Sequence, residues 1–260
     1  PVAPGAAVLR PVDAAPEVMT WEEKRDALRP VYDHTELRDK AKVLFRTTGG
    51  RIAAMLVGNL QGKYRREAIL LDADGSVKAH GTDGEWSWVA AHPTEERALI
   101  LQGETLSELD LDTLERVALD PAHQGFGAEY FVVDGREHVL TFDRDARVVR
   151  MRAPEPMKPL GDASLAEVAC DSGDWYETEL LGHGRILRPQ GQGYELVRLR
   201  GATDVQIEVA PVVAPGVDDL ATAQVSASKV GGETFIRTSE MREGRHGLEE
   251  DVELWFTLPD

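Results

Sequence analysis

Short apolar runs separated by tight polar turns dominate the middle of this chain. The run at residues 98–101 ends at Gly103, a second run ends in Leu109-Asp110-Leu111-Asp112, and a third covers residues 116–119. Apolar runs of this length, bounded by Gly and Asp, are typical of β-strands joined by hairpin turns. The stretch at 97–119 therefore predicts three short strands with two tight turns between them.

The same pattern occurs twice more along the chain. Leu71-Asp72-Ala73-Asp74-Gly75 begins 38 residues before Leu109, and Phe142-Asp143-Arg144-Asp145 begins 33 residues after it. In such a turn the first Asp can accept a hydrogen bond from the backbone N–H two residues on, and Asp or Gly at the next positions tolerates a left-handed backbone. Units of roughly 30 to 50 residues, each a β-meander, are typical of propeller blades. The expected fold is mainly β, a propeller-like array of about five antiparallel β-meanders.

The rest of the chain adds an N-terminal arm and leaves alternatives open. Residues 1–42 are expected to form the arm, with two short helices at 20–28 and 33–41 that each open on a capping box. Residues 43–260 form the β domain, and the apolar tail at 255–258 is expected to pair with the N-terminal region to close the ring. A β-sandwich is the alternative, as are two β domains split near 153–160, where three prolines fall within six residues.

The repeated turn resembles that of β-propeller proteins with degenerate blade repeats, the quinoprotein-like and YVTN-like groups. In those families the turn often has the sequence of an apolar residue followed by Asp-x-Asp-Thr-Gly. Asp110-Leu111-Asp112-Thr113 matches it, whereas Leu114 stands in the place of the Gly. The resemblance covers residues 44–151 and implies the propeller fold.

Composition and charge narrow the classes of partner. The 260 residues carry a formal net charge of −17, which argues against nucleic acid, because binding to phosphates needs clustered Lys and Arg. The charge favours a basic partner. Apolar runs reach only about six residues, too short to span a membrane. A single cysteine, Cys170, and an N-terminus unlike a signal peptide favour the cytoplasm.

The seven histidines are scattered, and three of them are candidates for a joint site. His80, His92 and His138 stand near predicted strand ends in successive repeats, so a propeller could bring them together as catalytic residues; the alternative is three unrelated loop histidines. The chain has no His-x-His, His-Glu-x-x-His or Cys-x-x-Cys motif, and therefore no local zinc motif. We expect no metal and no cofactor.

Three tryptophans are candidate binding residues. Trp86 and Trp88 alternate along a predicted strand at 85–89 and should share one face, either in the core or as a platform for stacking a ligand. Trp21 could anchor the N-terminal arm or a partner.

Two functions are consistent with these patterns. The first is a non-catalytic binding module, such as an adaptor, an inhibitor or an immunity-type protein, that engages a protein partner. The alternative is a propeller-type hydrolase or lyase with a central site for a small or sugar-like substrate, built from the histidines. The sequence does not decide whether the protein is an enzyme, although the lack of a catalytic motif leans against it.

Overall fold

The architecture is almost entirely β. A computed structural model describes residues 5–13, 29, 40–60, 62–82, 85–120, 123, 127–143, 146–161, 163–170, 178–191, 193–217, 220, 223–230, 233–243 and 249–258. Its strands are β1 (Ala7–Val8), β2 (Arg10–Val12), β3 (Lys40–Arg46), β4 (Ile52–Leu60), β5 (Lys63–Leu71), β6 (Val77–Gly81), β7 (Ser87–Ala91), β8 (Arg97–Gln102), β9 (Thr105–Asp110), β10 (Arg116–Asp120), β11 (Ala128–Val133), β12 (Arg136–Asp143), β13 (Val148–Arg152), β14 (Ala166–Ala169), β15 (Glu179–Gly182), β16 (Arg185–Gln190), β17 (Gly193–Arg200), β18 (Gln206–Val213), β19 (Gln224–Val230), β20 (Glu233–Glu243) and β21 (Glu249–Thr257).

These strands form five small sheets, which are the blades of a five-bladed β-propeller. The first three sheets have the orders β3-β4-β5-β6, β10-β9-β8-β7 and β11-β12-β13-β14. The fourth has the order β1-β18-β17-β16-β15 and the fifth β19-β20-β21-β2. The predicted array of about five meanders is therefore confirmed, as are the three strands expected at 97–119.

The chain divides into two compact units. Unit 1 comprises Pro1–Val18, Ala146–Val149 and Glu167–Asp260, and unit 2 comprises Met19–Asp145 and Arg150–Ala166. Within unit 2 the second sheet is covered on both faces. Ala98 and Ile100 of β8 pack in a cluster with the first sheet, whereas Leu99 packs with residues of β11 and β12. Burial on both faces explains why β8 reads as a continuous apolar run rather than an alternating one.

In unit 1 the N-terminal strands complete two sheets. β2 pairs antiparallel with β21, with Pro11 opposite Phe256 and Val12 opposite Trp255. β2 is the edge strand of its sheet, where a proline can lack an N–H without breaking a ladder. The expected pairing of the apolar tail with the N-terminal region is therefore confirmed. β1 pairs in parallel with the end of β18.

The hairpin turns have the geometry expected of their Asp residues. The Asp110 carboxylate accepts hydrogen bonds from the N–H groups of Asp112 and Thr113, at 2.8 and 2.7 Å. Leu114, which replaces the usual glycine, nevertheless adopts the left-handed backbone, with φ of 62°. The turn geometry is thus retained without its glycine, at the cost of a strained leucine.

The N-terminal arm differs in part from the expectation. Its first residues form strands β1 and β2 of two sheets, and Lys40 and Ala41, expected at the end of a helix, begin strand β3. The rest of the two predicted helices lies outside the described residues; Arg29, one position after the first of them, is helical. The proline-rich stretch at 153–160 lies inside unit 2, where the Leu160 N–H donates to the Leu119 carbonyl.

We expect that Gly81→Ala destabilises the fold. Gly81 ends β6 beneath the buried indole of Trp86, and a Cβ at this position would lie 2.1 Å from Trp86 Nε1. Overpacking of this kind costs about 1–3 kcal/mol, because the ring must leave its packed position. Urea unfolding should show a loss of this size. Gly161→Ala is the matched control, since a Cβ there has no atom within 4 Å; an equal loss in both variants would contradict the packing argument.

Candidate functional site

An arginine that precedes β4 joins the first two sheets at one end of unit 2. The Arg51 guanidinium donates to Asp72 at 2.7 Å, to Glu96 at 2.9 Å and to Asp112 at 2.7 Å. Glu96 also accepts a hydrogen bond from the Gly49 N–H at 2.7 Å. The turns β3–β4, β5–β6, β7–β8 and β9–β10 are therefore held together at the same end of the two sheets.

A second arginine, at the start of β8, extends this arrangement to the third sheet. The Arg97 side chain is almost fully buried, and it donates to Glu95 at 2.9 Å, to Glu108 at 2.5 Å and to Glu137 at 2.7 Å. Its guanidinium carbon also lies 5.8 Å from the centroid of the Tyr130 ring. A buried cation needs such partners, because an uncompensated charge in the interior is costly.

Glu108 is the most deeply buried member of this network, with 1% of its surface exposed. Besides Arg97, it accepts hydrogen bonds from the Tyr130 hydroxyl and the Met157 N–H. Burial, together with the adjacent Glu108 carboxylate, raises the pKa of the Tyr130 phenol far above its usual range. The phenol of Tyr130 is therefore protonated at ordinary pH. It donates a hydrogen bond and cannot act as a base.

His92 has both ring nitrogens engaged. Nδ1 accepts hydrogen bonds from the N–H groups of Thr94 and Glu95, at 3.2 and 2.9 Å, and so carries no proton. The proton of the neutral ring is then on Nε2, which lies 2.8 Å from Glu137 Oε2 and donates to it. Burial acts to raise the pKa of Glu137, but the bonds from His92 and Arg97 outweigh it and hold that pKa below its ordinary value. Glu137 is therefore an ionised acceptor.

The donor atoms of His92, Glu95 and Glu137 all lie within 4.8 Å of one another, which is a spacing that metal ligands can have. Their hydrogen bonds do not suit a metal, however. A metal on His92 Nε2 would require the proton on Nδ1, where it would face two N–H donors. The Arg97 guanidinium already supplies positive charge to both carboxylates. The residues fit an ion-pair network and do not fit a metal.

The three histidines singled out from the sequence have different surroundings. His80 Nε2 lies 3.0 Å from Glu67, and His92 belongs to the Arg97 network. His138 is buried, and its ring centroid lies 5.2 Å from that of Phe131. Among the described contacts of these three residues, none joins one histidine to another. Of the three, only His92 belongs to the cluster of charged side chains.

Trp86 and Trp88 share one face, as predicted, and that face is buried. Both pack in the cluster between the first two sheets, with their ring centroids 4.5 Å apart in an edge-to-face arrangement. Phe45 adds a further edge contact to Trp88, at 5.4 Å. The pair thus lies in the core between two sheets, with 2% of Trp86 and 6% of Trp88 exposed. Trp21 lies outside the described residues.

Neither arginine was predicted from the sequence to be a functional residue. A signal for them was nevertheless present, because an arginine stands at the start of the second strand in four sheets: Arg51, Arg97, Arg136 and Arg185. Glu108 and Glu137 carried no such signal. Their role depends on pairing with a residue of a different strand or sheet, which a single sequence does not show.

The turns that these arginines connect carry an excess of acid. We use the term acidic rim for the segments 47–51, 72–76, 92–97, 110–115 and 134–137 of unit 2, which contain nine carboxylates and three arginines. Asp74, Glu115 and Asp134 are exposed and have no arginine partner in the described ion pairs. Asp112 is also exposed, although it accepts from Arg51.

Comparison with known proteins yields structural similarity alone. No family model matches the chain, and no curated protein matches it. It is similar to an acylaminoacyl peptidase from Pyrococcus horikoshii, at 15% identity over 82% of this chain and 38% of that one, with a TM-score of 0.45. It is also similar to the β-propeller domain of the Trilobed protease from Pyrococcus furiosus, at 14% identity over 85% and 72% of the two chains, with a TM-score of 0.44. The chain therefore spans about 38% of the length of the peptidase. Similarities of this size assign no activity.

The described residues contain no helix that is both long enough and apolar enough to cross a membrane.

We expect that Arg97→Met destabilises the protein by about 3 kcal/mol or more, because it leaves the Glu108 carboxylate buried without its cation. Arg51→Met is the matched comparison. Its partners Asp72 and Asp112 are partly exposed to water, so its loss should cost only about 1 kcal/mol. Urea unfolding at pH 7 measures both values. Equal losses of unfolding free energy in the two variants would contradict the argument that the partners of Arg97 are more deeply buried than those of Arg51.

The network also predicts a pH dependence. The folded-state pKa of Glu137 lies below its ordinary value of 4.5, so its ionised form stabilises the fold above that pH. This contribution is lost as pH falls through the lower folded pKa. Glu137→Gln should therefore reduce stability at pH 7 and make the loss between about pH 5 and 3 shallower. Unfolding free energies over this range test it, with exposed Glu104→Gln as the control; parallel curves for wild type and Glu137→Gln would refute it.

Proposed function

We propose that this protein is a non-catalytic binding module that engages a basic protein partner through the acidic rim. The observation that carries the proposal is the grouping of the turns of three sheets, with nine carboxylates against three arginines, at one end of unit 2. A surface of one sign attracts an oppositely charged partner and repels nucleic acid, whose phosphates carry the same charge as the rim.

The ion pairs give the rim a defined shape. Arg51 and Arg97 each bond to carboxylates of two sheets, so the turns keep fixed positions relative to one another. A partner that meets positioned carboxylates loses less conformational freedom on binding than one that must order them. The exposed carboxylates of Asp74, Glu115 and Asp134 are the groups that a Lys or Arg side chain would contact.

The ionisable groups of the Arg97 network are engaged in hydrogen bonds or ion pairs with one another, which supports a binding role over a catalytic one. An acid–base catalyst must have a proton to give or a lone pair to receive one. In the Arg97 network both nitrogens of His92 are engaged, Tyr130 stays protonated, and Glu137 is paired with Arg97. The hydrolase or lyase alternative would need at least two of His80, His92 and His138 at one site, and each of them has a partner of its own.

We expect that neutralising the rim weakens binding to a basic probe. The triple variant Asp74→Asn, Glu115→Gln, Asp134→Asn should bind a 16-residue lysine-rich peptide about tenfold less tightly at low salt, since it loses three exposed charges that Lys side chains would contact. Its affinity should also depend less steeply on salt. Titration calorimetry over a salt series measures both effects.

The control variant removes the same charge from other exposed positions, as Glu85→Gln, Glu104→Gln, Asp204→Asn. Glu104 lies in the β8–β9 turn, at the opposite end of its hairpin from the rim. This variant should bind the peptide within about twofold of wild type. If both variants weaken binding equally, net charge alone is responsible, and the rim is not the binding surface.

A further inference from the structure

The described strands cover the outer edge of the fourth sheet only in part. β18 runs from Gln206 to Val213 and pairs along one side with β17. On its other side, β1 pairs only with Val212 and Val213. Among the described residues, no strand pairs with that side of β18 between Gln206 and Pro211.

The direction of the backbone groups follows from one hydrogen bond. The Val213 carbonyl accepts from the Leu9 N–H at 2.8 Å, so Val213 points its backbone groups toward the edge. N–H and C=O groups alternate in direction along a strand, and β18 has a regular register with β17. Ile207, Val209 and Pro211 therefore also point outward. Pro211 has no N–H, whereas Ile207 and Val209 each present a donor and an acceptor to the edge.

The side chains at the same positions form a small apolar surface. Ile207 and Val209 are 45% and 48% exposed, well above what is usual for β-branched residues in a strand. They lie opposite Leu199 and Val197 of β17, on the same face of the sheet. Within the described part of the chain, this edge thus combines backbone groups that no strand pairs with and apolar side chains at every second residue, which is the surface that strand addition requires.

We propose that residues 206–211 of β18 bind an extended segment of another protein by strand addition, in line with β1. The observation that supports this mode is continuity: β1 already occupies the rest of the same edge as an added parallel strand. The bound segment would have β-branched or apolar residues at alternate positions, to contact Ile207 and Val209. Two copies of this chain would each bring a net charge of −17, so a basic partner is favoured over a second copy.

The edge of β18 belongs to unit 1 and the acidic rim to unit 2. A result that contradicts one proposal therefore leaves the other unaffected. Strand addition depends on backbone hydrogen bonds, which salt affects little, whereas binding to the rim depends on charge.

Amide hydrogen exchange of the free protein is the first test. The Ile207 and Val209 amides should exchange at least about a hundredfold faster than those of Glu208 and Ala210, which face β17. Slow exchange at Ile207 and Val209 in the dilute monomer would mean that another part of the chain covers the edge, and would overturn the proposal. Protection that rises with protein concentration, together with a dimer in light scattering, would assign the edge to a second copy instead.

The second test uses a peptide probe, an octapeptide of alternating Val and Thr with Lys at each end. It should slow exchange at Ile207 and Val209, and the effect should persist in the triple rim variant. The same peptide with N-methylated valines, which cannot donate hydrogen bonds, should have no effect. If the unmodified peptide slows neither amide, the proposal is wrong.

Two variants locate the site. Val209→Pro removes one outward N–H and leaves the ladder with β17 intact, because that amide does not face β17; peptide affinity should fall about tenfold. Ile207→Lys places a charge on the apolar surface and should have a similar effect, which covers the case that the proline variant folds poorly. Val132→Lys, at a residue of β11 with 43% exposure, is the matched control and should bind normally. Equal losses at Val132 and Ile207 would overturn the assignment.

Discussion

Much of unit 2 depends on the neutralisation of one buried cation. The Arg97 guanidinium is nearly inaccessible to water, and three carboxylates from the β7–β8 turn, β9 and β12 surround it. Because a buried charge without partners is so costly, the second and third sheets must keep the spacing that brings Glu137 and Glu108 to the same arginine. The network also orders Tyr130, His92 and the backbone of Met157. A single electrostatic requirement thus positions groups from six parts of the sequence.

The sheets of unit 2 must also bury apolar side chains on both of their faces. A four-stranded meander exposes two apolar surfaces and cannot bury both alone, so each sheet of unit 2 must pack against its neighbour. β8 shows this directly, since its successive residues alternate between the cluster with the first sheet and the cluster with the third. Small residues such as Ala53, Ala68 and Ala98 let the large rings of Trp86 and Trp88 fit between the first two sheets.

The two proposed surfaces follow from what the fold leaves unsatisfied. In unit 2 the arginines neutralise the inner carboxylates, and the outer ones remain available to a cation. In unit 1, β1 covers the edge of β18 over two residues, and no strand of the described residues pairs there with the six residues before them. One surface would select a partner by charge and the other by an extended backbone, so their dependence on salt should differ. Neither requires a reaction, which agrees with a binding module.

The sequence by itself determined the strand content, the hairpin turns and the number of meanders. These features depend on contacts between near neighbours: apolar runs bounded by Gly, and Asp110 bonded to residues two and three positions on. It also placed Trp86 and Trp88 on one face, because alternation is local. Only the tertiary structure decided that this face is core, that His92 donates to Glu137 some 45 residues away, and that Arg97 lies among the carboxylates of Glu95, Glu108 and Glu137. Such pairings depend on how separate sheets stack, and no local pattern of residues specifies that.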